Sequence, residues 1–178
     1  MPTFIPASAL GRDGKVAPSN RIVVGGIGIG PRGREVLKHF LSQTDVQFVM
    51  IADVQEARRE VVRVMANRQY NNQDCVKTRD MYEVLARPDI DAVLIATGDR
   101  WHALLSMLAA KAGKDIILEK PISLTLSDAN AVAAAVKAAG VKVCVCFECR
   151  FSSQFLSTKA VIDQGLLGKL HYGEVDYY

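Results

Sequence analysis

A glycine-rich segment near the start of the chain has the residue types and spacing needed to bind phosphate. Residues 28–33 match the pattern G-x-G-x-x-G directly after an apolar run that we predict to be a strand. The first glycine would permit a tight turn, the second would let the backbone approach a pyrophosphate, and the third would let the following helix pack closely on the sheet. The amides and dipole of that helix start would hold the phosphates, although a glycine-rich turn can also be purely structural. The predicted cofactor contacts here are Gly28, Ile29, Gly30, Pro31, Arg32 and Gly33.

A carboxylate follows at the spacing that a dinucleotide site requires. Asp53 comes 20 residues after Gly33, at the end of the second apolar run. From that position it can accept hydrogen bonds from both hydroxyls of the adenosine ribose, and it would repel a 2′-phosphate. We therefore predict NAD as the cofactor, while Arg58 and Arg59 leave NADP open. Helix capping is the alternative role for Asp53.

Two more segments follow predicted strands, at the carboxyl edge where open α/β sheets bind ligands. In the first, Trp101 and His102 could form a cofactor wall or donate hydrogen bonds, although helix-start or packing roles suit His102 equally well. In the second, Lys120 lies in the run Glu119-Lys120-Pro121. A lysine there could donate a hydrogen bond to a substrate hydroxyl or stabilise charge as hydride leaves, and its alternative is a solvated surface residue.

Three of the four cysteines have the spacing C-x-C-x-x-C at residues 144–149, which invites a metal-site interpretation. We favour a simpler one. Cys144 and Cys146 lie two apart in a predicted strand, so both would point to one face as small buried residues. We predict no metal.

The elements that position these residues alternate between apolar runs and amphipathic stretches, which is typical of βαβ units. The fold class predicted is α/β, a Rossmann-type doubly wound parallel sheet. The predicted strands are Arg21 to Gly25, Val46 to Asp53, Ile90 to Thr97, Asp115 to Leu118 and Val141 to Phe147.

A helix capped by Thr125 is predicted to begin near Ser127 and to end at Gly140. The pattern changes beyond Phe151. There a second helix is predicted over residues 152–164, followed by a strand over residues 169–178. We expect an extended leader at residues 1–20, a dinucleotide-binding domain at 21–150, and the incomplete start of a C-terminal α+β domain at 151–178.

Composition excludes several classes of protein. Of 178 residues, 49% are hydrophobic and 23% charged, as in globular domains. The net charge of +3 is spread along the chain without a basic block, so nucleic acid is not an expected partner. No apolar run has the length of a membrane span, so no membrane is expected either.

Taken together, the glycine turn, Thr97 with Trp101 and His102, the Glu119-Lys120-Pro121 run and residues 147–151 resemble the glucose-fructose oxidoreductase / inositol dehydrogenase / MocA (Gfo/Idh/MocA) family over residues 21–178. The resemblance implies a catalytic role for Lys120 at the nicotinamide end. It also implies cofactor contacts by the residues Thr97, Asp99, Trp101, His102, Glu119, Lys120 and Arg150.

The resemblance further implies that the remaining catalytic groups, the substrate contacts and the homo-oligomer interfaces belong to a second domain, so the chain is expected to be a truncated member. The expected activity is hydride transfer between NAD and a carbinol carbon of a sugar, inositol or related polyol. An NAD-dependent glycosidase of the same superfamily and a cofactor-binding module without turnover stay open as alternatives. A cytoplasmic location and export by the twin-arginine route both stay open.

Overall fold

The computed structural model describes residue 11 and residues 16–174, which form two compact units. The first unit ends at Cys146 and the second begins at Phe147. This division falls four residues before the boundary expected from the sequence. The leader predicted at residues 1–20 lies mostly outside the described residues, and Pro18–Asn20 forms a short 3₁₀ helix rather than an extended segment.

The first unit is built on a six-stranded parallel sheet in the order β3-β2-β1-β4-β5-β6. This is the strand order of the dinucleotide-binding doubly wound fold, with its reversal point between β1 and β4. The predicted fold class is thus confirmed. The strands are β1 (Ile22–Ile27), β2 (Val46–Ala52), β3 (Val76–Thr78), β4 (Ala92–Ile95), β5 (Asp115–Leu118) and β6 (Val143–Val145).

Helices cover the sheet on both faces. They are α1 (Pro31–Leu41), α2 (Glu56–Tyr70), α3 (Met81–Ala86), α4 (His102–Lys111) and α5 (Leu126–Ala139), with α6 (Ser153–Asp163) in the second unit. One apolar core contains Leu37 of α1 and Val62 of α2, and the other contains Val84 of α3 and Leu105 of α4. Burial from both faces explains why all four residues of β4 are buried apolar residues.

The predicted cap of α5 is present. The Thr125 hydroxyl accepts a hydrogen bond from the Asp128 amide at 3.0 Å, and Gly140 ends the helix with a φ of 69°. Only Val132 is fully buried, however, and Leu126 is 78% exposed, so the apolar face that packs is narrower than the sequence pattern indicates.

Several sequence predictions were wrong. The sequence pattern missed the short edge strand β3 and the helix α3. The strand expected over residues 169–178 is absent from its described part, residues 169–174, which has no regular structure. Cys144 is exposed rather than buried, because it lies on the edge strand β6 and Val143 and Val145 are the residues of that strand that pack against the core. Among the described residues, no helix is both long and apolar enough to cross a bilayer.

Candidate functional site: a cleft at the carboxyl edge of the sheet

A cleft of about 630 Å³ opens where β1, β2 and β4 end. Its walls include Gly28 after β1, Asp53 after β2, and Thr97 and Trp101 after β4. These segments meet because parallel strands all present their carboxyl ends at one edge, and the reversal of strand order opens a gap there. Four of the residues predicted to bind the cofactor therefore line one cleft.

The three glycines of the turn have three different local environments. Gly28 has a φ of +68°, and a side chain there would overlap Thr97. A Cβ atom on Gly33 would lie 2.6 Å from the Cβ of Ala96, so α1 packs directly on the sheet at this point. Gly30 is open, since its nearest neighbour would be the Arg58 Nη1 at 3.7 Å. Space thus remains at the one glycine where a ligand would approach the backbone.

Helix α1 begins without a side-chain cap and without an acidic residue of its own in the first turn. Gly30 is its N-cap, and Pro31 occupies the first turn. The first amides of a helix have no partners within it, and the helix dipole favours an anion there. The arrangement suits a phosphate group of a dinucleotide.

Asp53 is 6% exposed, and its two carboxylate oxygens differ. Oδ1 accepts a hydrogen bond from the Gln55 amide at 2.8 Å, whereas the buried Oδ2 has no hydrogen-bond partner among the described residues. A buried acceptor without a partner is costly, so it indicates a missing donor. The ribose hydroxyls of a dinucleotide are donors of the required kind.

Arg58 and Arg59, the two arginines for which NADP stayed an alternative cofactor, differ in their contacts. Arg59 donates to the backbone carbonyl of Asp53 and pairs with Glu56, so its guanidinium is occupied. Arg58 lines the cleft next to Gly30, and its guanidinium makes no hydrogen bond among the described residues. Arg58 is therefore the residue available to a ligand.

The loop after β4 contains predicted residues with different positions. Trp101 is 51% exposed and lines the cleft with Thr97. Asp99 is exposed and accepts a hydrogen bond from the Arg100 amide at 2.8 Å, but it does not line the cleft. His102 is only 1% exposed, and both ring nitrogens face backbone carbonyl oxygens.

The Glu119-Lys120-Pro121 turn after β5 is anchored by the glutamate. Glu119 is 4% exposed, and its Oε1 lies 2.9 Å from the Nε of Arg32 in the glycine turn. Its Oε2 accepts a hydrogen bond from the Lys120 amide at 2.9 Å. Lys120 itself is exposed, and the peptide bond to Pro121 is cis.

Arg150 lies in the second unit, in the short 3₁₀ helix Glu148–Phe151. Its guanidinium carbon lies 5.5 Å from the centre of the Phe147 ring, a cation–π distance. A cofactor contact by Arg150 remains a prediction.

The cleft lining also includes Arg79, Tyr82 and Arg100, which were not predicted from the sequence. Arg79 and Tyr82 flank Asp80, whose side chain caps α3 by accepting a hydrogen bond from the Tyr82 amide at 2.8 Å. The signal was available, because Asp80 and Glu83 have capping-box spacing. Within the described residues, no group of three His, Cys, Asp or Glu side chains is arranged to bind a metal ion.

The chain resembles known proteins in family, in sequence and in structure. Residues 21–147 match the family GFO_IDH_MocA, described as an oxidoreductase family with an NAD-binding Rossmann fold. The chain is 41% identical to scyllo-inositol 2-dehydrogenase (NAD(+)) of Bacillus subtilis, over 53% of this chain and 28% of that protein. It is 31% identical to myo-inositol 2-dehydrogenase of Thermotoga maritima, over 83% of this chain and 42% of that protein.

Two further similarities bear on function and fold. An alpha-N-acetylgalactosaminidase of Shewanella oneidensis is 27% identical over 97% of this chain and 38% of its own length. The crystal structure of scyllo-inositol dehydrogenase from Lactobacillus casei, with bound NAD(H) and scyllo-inositol, superposes with a TM-score of 0.72 at 23% identity, over 83% of this chain and 42% of that chain. The chain spans less than half the length of these relatives.

Proposed function

The chain belongs to the Gfo/Idh/MocA oxidoreductase family and carries its NAD-binding Rossmann domain, and from this premise we propose that the protein oxidises a sugar, inositol or related polyol. The reaction is the transfer of hydride from a carbinol carbon to NAD. Bound NAD supplies the hydride acceptor. The residues of this chain bind the dinucleotide and place Lys120 beside the reacting oxygen.

The observation that carries the proposal is the buried Oδ2 of Asp53, which has no partner among the described residues. It lies at the end of β2 in the same cleft as the Gly28 turn. The glycine turn receives the pyrophosphate, Asp53 receives the adenosine ribose, and Trp101 forms part of the wall. The nicotinamide extends toward the turn that carries Lys120 and Glu119.

The proposed substrate class is supported by the names of the relatives and by the presence of Lys120. Two relatives are inositol dehydrogenases by name. In the proposed reaction the Lys120 ammonium donates a hydrogen bond to the oxygen of the carbinol. A further group accepts the proton of the carbinol hydroxyl. A positioned acid–base group of this kind contributes about 10² to 10⁴ in rate.

A glycosidase is the second candidate, favoured by the similarity to the Shewanella oneidensis enzyme. Such a reaction would use NAD for transient oxidation and return the hydride, so no net NADH would form. Lys120 favours the dehydrogenase, because the resemblance links the Glu-Lys-Pro lysine with dehydrogenases. A binding module without turnover is the third candidate.

The test follows absorbance of NADH while the protein is mixed with NAD and a panel of inositols and sugars. Net NADH formation supports the dehydrogenase, and release of a free sugar from an aryl glycoside without NADH supports the glycosidase. For the 178 residues alone we propose NAD binding without turnover at an enzymatic rate. Every cofactor residue named above lies within them. Positioning a substrate supplies up to about 7 to 11 kcal/mol of barrier reduction, and the matched region spans less than half of the inositol dehydrogenases that the chain resembles.

A further inference from the structure

His102 joins the two loops that follow β4 and β5. It is the first residue of α4, and its side chain is buried. Its Nδ1 lies 2.6 Å from the carbonyl oxygen of Pro121, and its Nε2 lies 3.2 Å from the carbonyl oxygen of Thr97. Thr97 belongs to the cleft wall, and Pro121 directly follows Lys120.

The chemistry of these contacts is restricted, because a backbone carbonyl can only accept a hydrogen bond. A protonated ring donates to both oxygens, and a neutral ring donates to one. The shorter separation, at Pro121, favours a proton on Nδ1. In both states the carbonyl of Pro121 is held by the imidazole.

Glu119 holds the other side of the same turn. Its carboxylate accepts the Lys120 amide through Oε2 and the Arg32 guanidinium through Oε1. The backbone of Lys120 is therefore held on both sides. Glu119, which precedes it, is bound to the glycine turn, and Pro121, which follows it, is bound to the start of α4.

The anchored backbone matters because no hydrogen bond or ion pair holds the Lys120 side chain itself within the described part of the chain. Its side chain is exposed, and its ammonium has no hydrogen-bond partner among the described residues. A lysine has a flexible four-carbon stem, and a misplacement of about 1 Å can cost on the order of 10² in rate.

We propose that His102 and Glu119 are positioning residues that fix the backbone of Lys120 at the nicotinamide end of the cleft. This inference rests on the proposed function for the catalytic meaning of Lys120. It also assigns His102, expected from the sequence to contact the cofactor, to a position behind the cleft wall. A simple packing role would require only a buried side chain of similar size.

The test measures hydrogen exchange of the Lys120 amide by NMR in the free chain, with the Ile117 amide of β5 as the internal reference. His102→Leu should accelerate exchange at Lys120 by at least about tenfold relative to Ile117. His102→Asn keeps a donor near the Nδ1 position and should recover most of the protection. Glu119→Gln should accelerate exchange at Lys120 as well, and it replaces His102→Leu if that variant fails to fold.

Ala109→Gly is the matched control. Ala109 is buried in the same helix, and a glycine in a helix interior destabilises that helix. This variant should change exchange at Lys120 and Ile117 by the same factor. The inference is overturned if His102→Leu and Glu119→Gln leave Lys120 as protected as in the parent chain, or if Ala109→Gly exposes Lys120 selectively.

A second readout separates this inference from the proposed function. Lysines are ¹³C-methylated, the Lys120 signal is assigned with Lys120→Arg, and NADH is added. We expect saturating NADH to change the chemical shift of the Lys120 signal in the parent chain. A change at least about twofold smaller in His102→Leu supports positioning of Lys120 at the nicotinamide. An unreduced shift in His102→Leu opposes it. Failure of NADH to bind would overturn the proposed function, while the amide exchange would still decide the inference.

Discussion

The Nε atom of Arg32 lies 2.9 Å from Oε1 of Glu119. This ion pair joins the glycine turn after β1 to the turn after β5 that carries Lys120. The glutamate side chain is 5% exposed and the arginine side chain 50% exposed, so a buried carboxylate is paired with a cation at the surface. The segment proposed to hold the pyrophosphate is thus physically connected to the segment proposed to face the nicotinamide.

Removing the arginine should destabilise the chain, because it leaves a buried carboxylate with one partner fewer. We expect Arg32→Ala to lower the free energy of unfolding by about 1 to 3 kcal/mol, measured by urea denaturation. The double variant with Glu119→Gln should lose less than the sum of the two single losses. Additive losses would contradict a direct interaction between Arg32 and Glu119.

The glycines of the turn should respond differently to the same substitution. Gly33→Ala places a methyl group 2.6 Å from the Cβ of Ala96, so it should lower the melting temperature. Gly30→Ala fits the free chain, and it should leave the melting temperature within about 2 °C while weakening NAD binding at least about tenfold. Equal effects of both variants on stability and binding would show that Gly30 has only a structural role.

Cofactor preference should depend on Asp53 and Arg58. Because the carboxylate of Asp53 would lie next to a 2′-phosphate, we expect NAD to bind more tightly than NADP. Arg58→Ala should weaken NADP binding further, while Arg59→Ala should act mainly on stability, since Arg59 already pairs with Glu56. Calorimetric titration of both cofactors measures the preference, and stronger binding of NADP by the parent chain would contradict it.

Thiol reactivity tests the packing of the first unit. Burial raises the pKa of the Cys75 thiol to about 12, so its thiolate is scarce near neutral pH. At about pH 8 we expect Ellman's reagent to label the exposed Cys144 and Cys149 rapidly and Cys75 only after unfolding. Cys75→Ser provides the assignment. Rapid labelling of Cys75 in the folded chain would contradict its burial in the core.

Lys120→Met tests the catalytic proposal in a chain extended to the length of the inositol dehydrogenases that it matches. Hydride transfer should fall by about 10² or more, while NAD affinity changes little. The rate is followed by single-turnover absorbance of NADH. Loss of NAD binding without a separate effect on the rate would assign Lys120 to cofactor binding alone.

The sequence predicted the elements with strong patterns and missed those without them. The glycine turn, Asp53 and the apolar parallel strands were predicted because each has a fixed spacing or a continuous apolar run. The strand β3 has only three residues, of which Val76 and Lys77 are exposed, so no apolar period marks it. Cys144 was misplaced because strand alternation identifies a face without saying whether anything covers it.

Contacts between distant residues were beyond sequence reasoning altogether. Arg32 and Glu119 lie 87 positions apart, and His102 and Pro121 lie 19 apart. Adjacent arginines could not be distinguished either, since only the structure shows that Arg59 is paired and Arg58 is not. Such relationships depend on the register of the strands and on side-chain directions.

Binding of NAD in the cleft, with its ribose on Asp53, can be measured by titrating NADH while exciting Trp101. Trp101 is the single tryptophan of the chain and lines the cleft, so bound NADH should quench its emission by energy transfer. We expect a saturable quench with one NADH per chain, and a dissociation constant at least about tenfold higher in Asp53→Ala. Absence of a saturable quench at millimolar NADH, or an unchanged dissociation constant in Asp53→Ala, would contradict the account.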